Sequence, residues 1–158
     1  MALIVENGSS VSGSNTYVSL AEYQAWAAER GVTHTGSDAN LTTHIYRAMD
    51  YIESLKFIGE KANENQSMQW PRLGAIIDGY EVDGTEIPSQ LKNATYEAIY
   101  STSISNSELA PLERRTQSEK IGDIQVTYAN NSSSRTTSPA LLYSLRKLLI
   151  PLSYVSRA

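Results

Sequence analysis

The sequence predicts a mainly α protein: a small helical bundle with a short β-strand or hairpin element and extended N- and C-terminal arms. Three observations carry that reading. Apolar residues recur on a helical period in separate stretches between residues 20 and 105, and an alternating, strand-like stretch follows near residue 124. Polar runs rich in Ser, Gly and Asn lie at residues 8–14 and 130–137, where little apolar surface is available for burial. The expected organisation is therefore an extended arm over 1–17, a helical body with a central loop and a strand over 18–129, and a linker with a C-terminal docking arm over 130–158. A compact chain of 158 residues buries roughly 70% of the surface it exposes when unfolded, enough for one core.

The first arm carries Gly8, Ser9, Ser10, Ser12, Gly13 and Ser14 and reads as extended and mobile. Ser19 and Glu22 then form the S-x-x-E capping pattern, with Val18 and Tyr23 at the flanking apolar positions, so a helix is expected from Leu20 to Arg30. Gly31 ends it by taking the left-handed conformation after the last turn. The second helix, near 40–57, is the most periodic segment: Leu41, Ile45, Ala48, Ile52 and Leu55 form one apolar stripe, with Asp38 or Asn40 available as its cap. Gly59 and the polar run from Glu60 to Ser67 read as a loop leading to Trp70.

Two Asp-Gly pairs in the segment DGYEVDG, residues 78–84, favour tight turns and fit a small hairpin or an irregular loop. Pro88 stands at the first turn of a third helix, expected over 88–105, with Leu91, Ala94, Thr95, Ala98 and Ile99 on one side. Trp26, Ile45, Ile52, Leu91 and Ala98 are the expected inward-facing residues. From Lys120 to Ala129 the period changes to two, with Ile124, Val126 and Tyr128 alternating with polar residues. No second strand is evident beside it, so it is expected to pair with a neighbouring copy or with the weak hairpin. After the linker NNSSSRTT, Ser138 and Pro139 start a further helix with Leu141, Leu142, Leu145, Leu148 and Leu149, ended by Pro151.

Composition narrows the chemistry. The absence of Cys removes disulfides, zinc-thiolate sites and thiol nucleophiles. No apolar run approaches the ~20 residues that a membrane helix needs, so no membrane association is expected. The formal charge of −4 argues against a dedicated nucleic-acid binder, because such proteins depend on Lys and Arg to neutralise phosphates. The nearest basic clusters, Arg114-Arg115 and Arg146-Lys147, are short. His34 and His44 lack metal-ligand spacing, the acidic residues near 78–86 lack the calcium-loop pattern, and no G-K-[ST] phosphate loop or G-x-S-x-G elbow is present. No catalytic, metal-binding or cofactor-binding residue is therefore expected. The most distinctive local string is Trp70-Pro71-Arg72 followed by Gly74. It reads either as a buried indole beside a rigid turn with the arginine bonded to loop carbonyls, or as a loop anchor at a subunit contact.

Taken in order, the strings MALIVENG…NTYVSLAEYQAW…RG, LTTHIYRAMDYIES…FIGEK, QSMQWPRLGA…DG..IPSQLKNATYEA and KIGDIQVTYA span nearly the whole chain. In that order it resembles the phage and prophage proteins of the DnaT-like single-stranded-DNA-binding family, several of which look like head-to-tail adaptors. The W-P-R-x-G element and the following I-P-x-x-L-K-x-A helix start are the specific parts. The resemblance implies a structural, non-enzymatic virion protein of a tailed bacteriophage, assembled in the host cytoplasm. It would form a ring of about twelve neighbouring subunits beneath the portal protein and contact a downstream tail or neck protein, with DNA only as passing cargo. The alternative is a single-stranded-DNA-binding or replication accessory protein. On the adaptor reading the C-terminal arm inserts into the portal through Leu141, Leu142, Leu145, Arg146, Lys147, Leu148, Leu149, Leu152, Tyr154 and Arg157. Truncation after Asn131 is then expected to leave a folded body that no longer docks.

Overall fold

A computed structural model of the chain describes residues 2–33, 36–105, 118–121, 124–127 and 139–150. Among the described residues the architecture is mainly α, as the periodicity predicts: four helices with short antiparallel strand pairs between and after them. Helices α1 (Leu20–Glu29), α2 (Asp38–Glu53) and α3 (Ser89–Ser105) form the body, and α4 (Pro139–Leu145) packs against α3.

Local signals place α1 closely. Ser19 Oγ accepts from the Glu22 amide while the Glu22 carboxylate accepts from the Ser19 amide, so both halves of the capping box are made. Val18 and Tyr23, the flanking apolar pair, are fully buried. In α2 the stripe Leu41, Ile45, Ala48, Ile52 faces the core, joined by Met49. Its N-cap is Ser37 rather than Asp38 or Asn40, and the Ser37 side chain makes no capping bond. Asp38 sits in the first turn, where its charge meets the helix dipole, and its carboxylate accepts from Gln24 Nε2 of α1 at 2.9 Å.

Helix α3 is central, packed by α2 on one side and α4 on the other. Leu91, Ala94, Thr95, Ala98 and Ile99 are all fully buried, and the two alanines leave room for close helix approach. Buried threonines here are satisfied locally: Thr95 Oγ1 donates to Leu91 O at 2.9 Å and Thr102 Oγ1 to Ile99 O at 2.8 Å. Trp26 of α1 stacks on Tyr96 of α3 with ring centroids 5.5 Å apart.

Between α2 and α3 the chain forms two small ribbons. Strand β1 (Glu60–Lys61) pairs with β2 (Arg72–Leu73), and β3 (Ile76–Ile77) pairs with β4 (Tyr80–Glu81). Asp78 and Gly79 join β3 to β4 with φ of 54° and 87°, the positive values of a two-residue type I′ turn, so the first Asp-Gly pair makes a hairpin. The strand over Ile124–Thr127, β6, pairs antiparallel with β5 (Ser118–Ile121) in the register Ser118↔Thr127 to Ile121↔Ile124. Its partner is thus the segment immediately before it, neither another copy nor the 76–81 hairpin.

Both expected arms differ from the structure. Residues 2–17 form a looped segment on the body, because Glu6 gives it a polar centre. Glu6 is fully buried, and its carboxylate accepts from the Gly8 and Val11 amides, each at 2.9 Å, and from Ser14 Oγ at 3.0 Å. Gly13 N donates to Ser67 Oγ, and Gly8 lies so close to Thr85 that a Cβ there would stand 2.0 Å from its carbonyl oxygen.

The C-terminal segment is likewise not a free arm over its described part. Leu141, Leu145 and Leu148 are fully buried in the chain's own core. Backbone bonds continue the attachment: Ile58 N donates to Leu148 O at 2.9 Å, Ile150 N to Lys56 O at 3.1 Å, and Phe57 bridges Leu149 antiparallel. Burying three leucines contributes on the order of 5–9 kcal/mol as an upper figure, comparable with the whole stability of a small domain. That is why the segment packs at home instead of waiting for a partner.

Candidate functional site

Two arrangements gather chemistry-bearing side chains, one inside the body and one on its surface. The inner one surrounds the W-P-R string. Trp70 is fully buried, lies edge-to-face with Phe57 at 6.0 Å, and is joined to Pro71 by a cis peptide bond. Pro71 is buried as well. The Arg72 guanidinium spans the loop: Nε donates to Ile58 O at 2.7 Å, Nη2 to Gly59 O at 2.6 Å and Nη1 to Gln69 O at 3.1 Å. Tyr17 OH donates to the Glu53 carboxylate and accepts from Trp70 N, while Gln69 N donates to the other Glu53 oxygen at 2.8 Å.

Burial dominates the protonation of this inner cluster. It raises the Glu53 carboxyl above its ordinary range despite the bonds from Tyr17 and Gln69, and it holds the Tyr17 phenol well above 10. Burial also lowers the Arg72 guanidinium, against the attraction of Tyr17 and Glu53. All of these groups are consumed in holding the loop together. Of the two readings the sequence leaves open for Trp70, Pro71 and Arg72, the geometry matches the buried indole with its carbonyl-bonding arginine.

The outer arrangement is a surface patch. Among the described residues the exposed large hydrophobics are Ile4, Leu73, Ile76, Tyr80, Leu142, Tyr143 and Ile150. All but Ile4 lie in two segments, 73–80 and 142–150, and those segments are tied together by an ion pair: Lys147 Nζ stands 2.6 Å from Asp78 Oδ2. Tyr80 is 80% exposed and Tyr143 77%, so both rings keep their faces in water. The hairpin turn places Tyr80 two residues from Asp78. The backbone bond from Arg146 N to Leu142 O spans Tyr143, which stands four positions before Lys147 at the end of α4.

Concentrated exposed apolar surface of this kind marks a binding site more often than an accident of folding. Arg146 and Lys147 belong to the second segment, and Lys56 adjoins it along the backbone, its carbonyl accepting from Ile150 N. Asp78 and Glu81 supply the opposing charge. Two stacking rings beside a few cations can hold a flat, unpaired base and its phosphate. Among the described residues no group of three or more His, Cys, Asp or Glu is placed to hold a metal ion. No helix among them is long and apolar enough to cross a membrane.

Of the residues predicted for docking, Leu142, Arg146 and Lys147 lie on this exposed patch, Leu149 is half-buried, and Leu141, Leu145 and Leu148 belong to the core. Leu152, Tyr154 and Arg157 lie outside the described residues, as does His34. Sequence reasoning missed Leu73, Ile76, Tyr80 and Tyr143. The available signal was the Asp-Gly pair, because a two-residue hairpin exposes most of its residues, and of Ile76, Ile77, Tyr80 and Glu81 Ile77 alone is buried.

No curated protein and no solved structure matches the chain. A family model does, over residues 1–157, and the ligand in its description is single-stranded DNA. That finding overturns the head-to-tail adaptor as the main expectation, together with the portal protein, the subunit ring, the tail or neck protein, the virion vocabulary and DNA as mere cargo. The packing of Leu141, Leu145 and Leu148 into the body removes the physical argument for a portal-docking arm as well. By its match across residues 1–157, this chain belongs to the family described as "Putative DnaT-like ssDNA binding protein".

Proposed function

We propose that the protein is a non-catalytic binder of single-stranded DNA and that the strand lies across the surface around Lys147. The observation that carries this reading is the Asp78–Lys147 ion pair, which joins the two segments that bear Tyr80 and Tyr143, each more than three-quarters exposed. Unpaired bases stack on such rings without regard to sequence, and a lysine in the same patch meets the backbone phosphate. A duplex offers no free base face, so the same surface discriminates against it. A phage or prophage source is part of the proposal.

The chain's negative charge is compatible with this mode, because stacking carries the larger share. With Lys56, Arg146 and Lys147 in or beside the second segment, about three phosphates are neutralised, and the slope of log affinity against log salt is about −2. Each base stacked on an aromatic ring is worth about 1–3 kcal/mol. Replacing both rings, Tyr80→Ala with Tyr143→Ala, is therefore expected to weaken binding of an oligothymidylate at least about thirtyfold. Exposed substitutions of this kind change stability by about 0.5 kcal/mol or less, so thermal unfolding serves as the control. A double variant that is equally stable and binds the oligonucleotide as the wild type does removes the patch as the site.

A further inference from the structure

The same patch contains a group that opposes its proposed use. Asp78 holds the Lys147 ammonium at 2.6 Å, and both side chains are about half exposed, at 57% and 52%. Their pairing therefore competes with any external anion for the same lysine. Asp78 is fixed in position by the hairpin: it takes φ of 54° in the type I′ turn, with Gly79 following, so its carboxylate is presented by backbone geometry and not by a flexible loop.

We propose that Asp78 is an internal substitute for a DNA phosphate, an affinity-limiting residue that must release Lys147 before a strand is bound; this rests on the reading of the patch given under Proposed function. An exposed ion pair is weak, so the release is readily reversible and costs affinity only modestly. Its effect on salt dependence is more distinctive. Salt weakens the internal pair as well as the contact to phosphate, so the competitor damps the response of binding to salt. Without the Asp78 charge that damping is lost.

The substitution Asp78→Asn isolates the charge, because Asn tolerates the left-handed backbone and Asn-Gly is favoured in type I′ turns. Binding of a labelled oligothymidylate is measured by fluorescence anisotropy over a range of salt for the wild type, Asp78→Asn, Lys147→Gln and the double variant. Asp78→Asn is expected to bind about two- to fivefold more tightly with a steeper salt slope, and Lys147→Gln more weakly. The double variant is expected to match Lys147→Gln, because Asp78 acts by occupying that lysine. Equal gains from Asp78→Asn with and without Lys147 would show a diffuse charge effect and overturn the proposal. So would an unchanged or weakened Asp78→Asn, and in both cases wild-type binding that needs Tyr80 and Tyr143 leaves the proposed function standing. If neither the wild type nor any variant retains the oligonucleotide at low salt, both readings fall together.

Discussion

Glu53 shows how one half-buried carboxyl organises a loop and what that organisation costs. It takes hydrogen bonds from Tyr17 OH and Gln69 N, yet burial outweighs them and raises its pKa above the ordinary 4.5. The native state therefore favours the protonated form. The stabilising contribution is fully present below about 4.5 and is lost as the pH rises through the raised folded value. Glu53→Gln lacks that loss. The unfolding free energy of the wild type relative to Glu53→Gln is thus expected to fall as the pH is raised from about 4 to 7, which urea titrations at a series of pH values would measure; a difference that stays level or grows contradicts the assignment. Trp70 makes a simpler claim, since it is fully buried against Phe57. Trp70→Ala is expected to cost about 3–5 kcal/mol of stability in the isolated chain. A loss much below 1 kcal/mol would return Trp70 to a contact role.

At the scale of elements, the sequence was most informative where the deciding signal is local. The capping residues Ser19 and Glu22, the stripe of α2 and the Asp78-Gly79 turn each depend on neighbours a few positions away, and each forms from its pattern, except that α2 ends at Glu53 and leaves Leu55 half-buried beyond it. It was least informative where an apolar face had to find its partner. The leucines of α4 declare that they need burial but not against what, and the polar run before them permits either an internal or an external surface. Glu6 was similarly invisible, because only a buried carboxylate explains why so glycine- and serine-rich a segment folds. Strand β5 carries no alternation of its own and is defined by its pairing with β6. The structure reverses the truncation expectation: removing everything after Asn131 strips Leu141, Leu145 and Leu148 from the core, on the order of 5–9 kcal/mol of burial. The truncated chain is expected to be largely unfolded by circular dichroism, and a cooperative transition near that of the full chain would sink this account of α4. Ile52→Asp places an unpaired charge at a fully buried position of α2 and is expected to unfold the body for a related reason.

For the whole molecule, net charge and the proposed ligand point in different directions. A value of −4 sums over all surfaces, whereas in the proposed mode binding depends on the local surface: two exposed tyrosines and a lysine held by the Asp78 carboxylate. Tyr80 and Tyr143 are 63 positions apart in the sequence, and the ion pair between Lys147 and Asp78 joins their segments. The candidate site was therefore legible in its parts, through Leu142, Arg146 and Lys147, but not as a surface. The most direct measurement is the equilibrium affinity of the full chain for an oligothymidylate of about 20 nucleotides and for a duplex of the same length, by anisotropy between about 50 and 200 mM salt. The account predicts saturable binding of the single strand, a shallow log–log salt slope near −2, and much weaker binding of the duplex. No saturable binding of the single strand, or equal binding of the duplex with a steep salt slope, would contradict it.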